Sequence, residues 1–284
     1  MAIYFNDFLY LCRMFLKRYN IFYAIVILIV TGSCSGYEKL LKSSDYKLKY
    51  EKAFEYYHNE DYSKAMNLLE QLIPVYRGTQ QADSVNFYHA MCNYKMGDYL
   101  LAGHHFKNFA TIYGNSPFAE DAEFLYAYCH YKNSPRPTLD QESTFKAIEA
   151  FQLFMIQYPN SERQDEAIKI IRELQNKLVE KSYLSARLYY DLGDYKASII
   201  ALNNSLIEYP DTKFREEIKY LILKSHFLLA ENSVEGKKRE RFQETLDEYY
   251  SFVSEFPESE YIKDVRKIYE QTAQILNLNQ QASN

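Results

Sequence analysis

The sequence lacks the motifs by which many enzyme families are recognised. It contains no G-x-S-x-G nucleophile motif, no H-E-x-x-H metal motif, no Gly-rich phosphate loop and no dinucleotide-binding fingerprint. Two S-x-x-K spacings, which begin at Ser44 and Ser143, have neither the K-T-G nor the S-D-N companion motif. We therefore predict that the protein is not an enzyme and that it needs no cofactor.

Clustered positive charge is scarce as well. The net charge is −5, and the one short basic cluster is GKKRER at 236–241. A protein that binds the phosphate backbone of nucleic acid needs a basic surface, so nucleic acid is not an expected partner. We interpret residues 236–241 as a solvated loop, with a binding surface as the alternative.

The N-terminal apolar run is short. Residues Ile21–Val30 form a run of ten apolar residues, about half of the roughly 20 that a membrane-spanning helix needs. Basic residues precede this run and small residues follow it, which is the order found in a cleaved secretory signal peptide. We predict that residues 1–33 are such a signal peptide, whether translation starts at Met1 or at Met14.

The segment TGSC at 31–34 is similar to a bacterial lipobox, although its first position holds Thr where Leu is usual. We therefore predict that Cys34 is lipidated and that residues 34–45 form a lipidated tether. Two or three acyl chains on one residue anchor a protein stably. The alternative is an uncleaved signal anchor with an incidental cysteine. Ser35, directly after Cys34, indicates that the lipoprotein is sorted to the outer membrane. No acidic run follows Cys34, which indicates the periplasmic face of that membrane.

An internal repeat organises the rest of the chain. Five segments align: VYRGT (75–79), IYGNS (112–116), QYPNS (157–161), EYPDT (208–212) and EFPES (255–259). Pro or Gly ends one helix, Ser or Thr caps the next, and the aromatic ring is expected to fill the gap between stacked hairpins. The predicted N-caps are Thr79, Ser116, Ser161, Thr212 and Ser259. Acidic residues that complement the following helix dipole are Asp83, Glu120, Asp165 and Glu216.

A second kind of turn lies within the repeats, between the two helices of a hairpin. The segments NEDYSKA (59–65), MGDYLLA (96–102) and LGDYKAS (192–198) share Asp-Tyr followed by a small residue, which lets two helices approach closely. The combination is typical of a tetratricopeptide repeat. We predict an all-α fold, a right-handed superhelix (α-solenoid) of about five helical hairpins and a C-terminal capping helix.

The predicted helices fall into two groups of repeats. Residues 46–161 hold repeats 1–3, residues 162–276 hold repeats 4–5 and the capping helix, and 277–284 form a disordered tail. The stretch 162–192 has no Pro or Gly, which predicts one helix of about 45 Å. The predicted helices are 46–58, 61–75, 80–95, 98–112, 118–132, 142–157, 162–192, 195–208, 213–230, 239–255 and 260–276.

Two cysteines occupy equivalent positions in successive repeats. We interpret Cys92 and Cys129 as buried apolar residues, because stacked helices lie roughly 8–10 Å apart and a disulfide needs Cα atoms within about 7 Å. Such a disulfide, or a zinc site that adds His89 and His130, is the alternative.

Tyrosine is abundant, at 29 residues, and tryptophan is absent. We predict that most tyrosines lie in the core or at repeat junctions. Those expected to line a groove that docks extended peptides are Tyr56, Tyr57, Tyr126 and Tyr128.

The stretch 158–212 resembles the BamD family, the lipoproteins of the outer-membrane β-barrel assembly machinery. The residues that carry the resemblance are the paired YPNS and YPDT, the long helix between them, ARLYYDLGDY at 186–195 and CSG at 34–36. The resemblance extends over about 40–276 and departs from the family in the short connection at 133–143.

The resemblance implies a periplasmic scaffold without covalent chemistry. Its implied partners are a BamA-like barrel protein, whose periplasmic POTRA region binds the C-terminal repeats, other assembly lipoproteins, and unfolded barrel substrates near the N-terminal repeats. The family's interface residues follow no motif, so no single partner-binding residue is predicted. The alternatives are a glycan-binding lipoprotein of the SusD type, against which the absent Trp and the length of 284 residues count, and a repeat adaptor for cell-wall synthesis.

Overall fold

A computed structural model of the chain describes residues 36–282, which form twelve helices and no strand. The all-α prediction is therefore confirmed. The first helix, α1, covers residues 36–42. The others are α2 (Tyr46–His58), α3 (Tyr62–Tyr76), α4 (Ala82–Lys95), α5 (Tyr99–Ile112), α6 (Ala119–Asn133), α7 (Glu142–Gln157), α8 (Gln164–Asp191), α9 (Tyr195–Glu208), α10 (Arg215–Glu231), α11 (Glu235–Glu255) and α12 (Ile262–Ala282).

The chain forms two compact units, here called the N-terminal unit (described residues 36–129) and the C-terminal unit (130–282). In the N-terminal unit α2, α3, α4 and α5 pack in succession. In the C-terminal unit α7 to α11 do the same, and α12 packs on α11 and α10 as the predicted capping helix. This is the element order of a tetratricopeptide-repeat α-solenoid.

The five repeat junctions share one hydrogen-bonded turn. At each junction the Ser or Thr amide donates to the carbonyl of the aromatic residue three positions earlier, at 2.8–3.3 Å. Its hydroxyl accepts from the amide two positions later, at 3.0–3.3 Å. The turn reverses the chain while it satisfies backbone groups that a helix end would otherwise leave unpaired.

The N-cap prediction is wrong in position. The α-helices begin three residues after the predicted caps, at Ala82, Ala119, Gln164, Arg215 and Ile262. The physical reason is that the hydroxyl of each Ser or Thr closes a local two-residue turn, and that turn leads into the helix. The predicted acidic residues do lie in the first helical turns of α4, α6, α8 and α10.

The junction aromatics are half-buried, and four of them end their own helices. The amides of Tyr113, Tyr158, Tyr209 and Phe256 donate to the carbonyl four residues earlier. The ring of Tyr113 lies 5.1 Å from that of Phe109 (centroid to centroid), and its hydroxyl accepts from Asn86 of α4 at 3.3 Å. Tyr113 therefore ties the end of α5 to the preceding helix α4.

The turns inside the hairpins also follow the predicted pattern. Glu60, Gly97 and Gly193 are equivalent, and each has a positive φ of 62–84°. In each turn the amide of the next residue, an aspartate, donates to a carbonyl five residues earlier, which is a Schellman motif. The small residues that follow, Ala65, Ala102 and Ser198, are fully buried, as predicted.

One helix was not predicted. Residues 36–42, assigned from the sequence to the tether 34–45, form α1 on the first hairpin. Leu40 is buried against the core of α2 and α3. The buried Lys49 of α2 donates from Nζ to the Leu41 carbonyl (3.0 Å) and to Gln71 Oε1 of α3 (2.7 Å). These long-range contacts stabilise a helix too short to form alone.

Two helix ends differ from the prediction by four residues or more. Helix α11 begins at Glu235 instead of 239, so the basic cluster at 236–241 is helical and the interpretation as a loop is wrong. Within it Arg241 donates to Ser233 Oγ, which precedes the helix. Helix α12 continues to Ala282, so the predicted tail begins too early, because no Pro or Gly stops the helix.

The long helix α8 has 28 residues, in agreement with the prediction of one uninterrupted helix. Helix α8 binds the segment that connects α6 to α7. Lys177 Nζ donates to Ser134 Oγ at 2.7 Å, and Lys181 Nζ donates to the Leu139 carbonyl at 2.8 Å. The buried Gln141 amide donates to two carbonyls of the same connection.

We predict that Glu60→Gly stabilises the protein by about 1 kcal/mol, because a left-handed backbone is strained for a residue with a side chain. Conversely, Gly97→Ala should destabilise it by about the same amount, through backbone strain alone, since a Cβ at Gly97 meets nothing within 4 Å. Urea denaturation measures both. As a control, Gly236→Ala in α11 should stabilise the helix. Equal midpoints for Glu60→Gly and the parent would contradict the prediction.

A pair of histidines joins α4 to α5. The rings of His89 and His105 lie 4.7 Å apart (centroid to centroid), and His89 is only 7% exposed. Burial and the neighbouring His105 lower the pKa of His89 to about 4. Burial and His104 lower the pKa of His105, and the carboxylates of Glu70 and Asp98 act in the opposite direction. The folded protein therefore keeps this pair neutral.

Stability should consequently fall on acidification. Unfolded His89 takes up a proton below its ordinary pKa of 6.5, whereas folded His89 does so only near 4, so stability is lost as pH falls through that window. We expect His89→Gln to reduce the loss of unfolding free energy between pH 7 and pH 5 by about 2 kcal/mol. Urea titrations at both pH values test this, with the exposed His58→Gln as control. An unchanged pH dependence in His89→Gln would refute the prediction.

Candidate interaction surfaces

The predicted lipidation site lies outside the described residues. Cys34 precedes Gly36, the first described residue, by two positions, and the predicted signal peptide 1–33 also lies outside them. Signal cleavage and lipidation therefore stay predictions. Within residues 36–282, no helix has the length and apolar character required to cross a bilayer.

The interpretation of Cys92 and Cys129 as buried apolar residues is confirmed. Both thiols are free and buried, Cys92 in the core of the first hairpin and Cys129 beside Gly103 of α5. Burial raises the pKa of each thiol to about 12, so both stay protonated and unreactive. In the described part of the chain, no group of three or more His, Cys, Asp or Glu residues could hold a metal ion.

The tyrosines predicted to line a groove are half-buried rather than freely exposed. Tyr57 packs into the core of the first hairpin, and burial raises its pKa to about 12. Tyr56 is partly covered by Tyr37 of α1, at 5.6 Å between ring centroids. Tyr126 lies under Lys107 Nζ at 5.0 Å from the ring centroid, and Tyr128 stacks on Phe124.

The C-terminal unit exposes apolar side chains that the sequence analysis did not single out. Ile156 and Ile207, each two residues before a junction tyrosine, are 77% and 79% exposed. Contiguous exposed apolar surface is typical of protein-binding sites. Further exposed apolar side chains are Phe145, Leu153, Leu188 and Ile200 of α7, α8 and α9, and Leu192, which directly follows α8. An isoleucine two residues before a junction tyrosine is the sequence signal that could have identified Ile156 and Ile207.

The polar networks of the C-terminal unit hold helices together. Arg187 of α8 donates from Nη1 to Tyr183 Oη (2.9 Å) and to Glu217 Oε1 of α10 (3.1 Å). Burial and the bond to Glu217 raise the pKa of Tyr183. Tyr220 of α10 donates to Asp264 of α12, and this bond lowers the pKa of the Asp264 carboxyl. These bonds join α8 to α10 and α10 to α12.

Shallow depressions occur at three junctions. The one between α9 and α10 has a volume of about 400 Å³ and is lined by Asn176 and Val179 of α8 and by residues 208–213. The others lie at 112–116 and 256–259. Each depression is lined by residues of a repeated junction turn.

Comparison with solved structures gives distant similarities. The TPR2AB domain of yeast Sti1 in its complex with pHSP90 is 11% identical, with coverage of 81% of this chain and 99% of that chain and a TM-score of 0.38. A putative kinesin light chain with TPR-like repeats from Podosopora anserina is 14% identical, with coverage of 75% and 97% and a TM-score of 0.32. No curated protein matches the chain.

The sequence model of the YfiO family, described as an outer membrane lipoprotein, matches residues 43–240. This match covers more than half of the 284 residues. It includes α2 to α10 and the junctions at 75–79, 112–116, 157–161 and 208–212. The chain therefore belongs to the YfiO family of outer membrane lipoproteins, which is the BamD family that the sequence resembles.

Proposed function

We propose that the protein is a scaffold of the β-barrel assembly machinery, anchored by a lipid on Cys34 to the periplasmic face of the outer membrane. Its C-terminal repeats bind the periplasmic POTRA region of a BamA-like barrel protein. The protein thereby aids insertion of unfolded outer-membrane β-barrel proteins. Other lipoproteins of the machinery are further partners. The family match over residues 43–240 carries this proposal.

The surface of the C-terminal unit supports a protein-binding role. Ile207 and Ile200 are exposed on α9, and Ile156 is exposed on α7. Apolar side chains of this size lose water on association and contribute binding free energy once a partner covers them. A scaffold needs such a surface and needs no reactive group, which fits the paired polar networks and the protonated cysteines described above.

A role in receiving substrates is supported by the aromatic side chains of the N-terminal unit. Tyr126 and Tyr128 are partly accessible on α6. Rings with one apolar face and a polar hydroxyl suit extended aromatic-ended strands, because they bury area and still offer a hydrogen bond. The family match and the abundance of tyrosine support this part of the function.

Cys34→Ser should remove the protein from the outer membrane, because without acyl chains no described helix anchors it. The measurement is fractionation of cell envelopes with immunodetection. Cys12→Ser, which leaves the lipobox segment intact, is the matched control and should fractionate as the parent does. Outer-membrane fractionation unchanged in Cys34→Ser would defeat the lipid anchor.

Ile207→Asp should weaken capture of the BamA-like barrel protein by about tenfold, since a charge replaces an exposed apolar side chain that the proposed partner covers. Affinity capture from detergent-solubilised envelopes, quantified by mass spectrometry, measures this. The control is Ile112→Asp, a similarly exposed isoleucine (71%) of the N-terminal unit. Capture of a TonB-dependent transporter or of cell-wall synthases in place of the barrel protein would contradict the proposal.

A further inference from the structure

Helix α1 is held firmly on the first hairpin. Tyr37 Oη donates to the Lys64 carbonyl of α3 at 3.3 Å and accepts from Asn67 Nδ2 at 3.4 Å. Leu40 is buried in the hairpin core, and Lys49 binds the Leu41 carbonyl. Because α1 is fixed at three places along its length, it moves with the first hairpin as one body.

The covalent chain keeps this body close to Cys34. Gly36 follows Cys34 by two positions, and Tyr37 follows it by three. Three residues span at most about 11 Å even when fully extended. The polar layer of a bilayer is roughly 5–8 Å thick on each side. A lipidated Cys34 therefore leaves Tyr37 at or near the membrane surface, whatever the path of the intervening chain.

The side chains around Tyr37 suit such a surface. Its ring meets that of Tyr56 edge to face, and Lys64 Nζ lies over both rings, at 5.7 and 5.3 Å from their centroids. Lys64 also pairs with Asp61 at 2.5 Å, so the cluster carries little net charge. Tyrosine and lysine both place an apolar stem in the interface and a polar end in water. His58 is exposed at the adjacent end of α2.

We propose that this end of the first hairpin, formed by Tyr37, Tyr56, His58 and Lys64, lies against the phospholipid headgroup layer of the membrane that holds the anchor. The proposal rests on the lipid anchor at Cys34 and adds a second, protein-made contact to it. The partner is the headgroup layer itself rather than one lipid species, because the Lys64–Asp61 pair leaves no unbalanced charge to select an anionic headgroup. The acyl chains and this contact together fix the orientation of the first hairpin as well as its location.

The test places a photoreactive side chain at position 58 of the full chain, purified in its lipidated form and reconstituted in vesicles of phosphatidylethanolamine and phosphatidylglycerol. Position 95 is the matched control, since Lys95 is equally exposed at the equivalent end of α4, one repeat further along. We expect at least fivefold more phospholipid adducts at 58 than at 95 after illumination. Intact mass reports the lipid on Cys34 in the same samples.

The outcomes separate the two proposals. Equal adduct yields at 58 and 95, with the lipid present on Cys34, would overturn the headgroup contact and leave the anchor standing. A chain without lipid on Cys34 would overturn the anchor, and the headgroup contact with it.

A second variant tests the role of α1 without changing the exposed reporter position. Tyr37→Ala removes the ring contact and both hydrogen bonds of Tyr37, so the adduct yield at 58 should fall towards that at 95 while lipidation continues. Tyr46→Ala, at the other end of α2, should leave the yield unchanged. An undiminished yield at 58 in Tyr37→Ala would show that α1 does not hold the hairpin at the surface, contrary to the proposal.

Discussion

The fold depends on one hydrogen-bonded turn that occurs five times. A Ser or Thr amide donates to the carbonyl of an aromatic residue, and the hydroxyl accepts from the amide two residues later. This turn ends one helix and directs the next back along it, and its local geometry is the same at every junction. Fully buried Ala102 and Ser198 mark the close approach of helices within the hairpins. Because each hairpin buries its apolar face only against its neighbours, the turn and the stacking depend on each other.

Many tyrosines lie half-buried at the edge of the hydrophobic clusters, because each repeat is thin and few side chains are far from solvent. A tyrosine buries its ring and still pairs its hydroxyl at the edge, as Tyr113 does with Asn86 and Tyr220 with Asp264. The buried groups that could react, Cys92, Cys129 and His89, are kept neutral by burial. The neutral state of these three groups fits the scaffold role proposed above.

The two units offer different surfaces. In the N-terminal unit, α1 begins two residues after Cys34 and closes the open end of the first hairpin with Leu40. In the C-terminal unit, α7 and α9 leave Ile156 and Ile207 uncovered, as α5 of the N-terminal unit leaves Ile112. The proposed anchor and the proposed partner surface lie on separate repeats. A stack of similar hairpins permits this, because substitution of outward residues in one repeat leaves the packing of the others unchanged.

The helical hairpins, the bounds of α2, α7 and α9, and the close-packed positions Ala65 and Ser198 could be predicted from the amino-acid sequence alone. These features follow from local backbone chemistry, because Pro, Gly, Ser and Thr act on their own neighbours. Long-range packing instead sets the helix at 36–42, the partial cover of Tyr56, and the choice of apolar side chains that stay exposed. Leu206 is buried and the adjacent Ile207 is 79% exposed, although both are apolar residues of α9. Which of them is covered depends on where the neighbouring helices lie, and that is set by contacts distant in sequence.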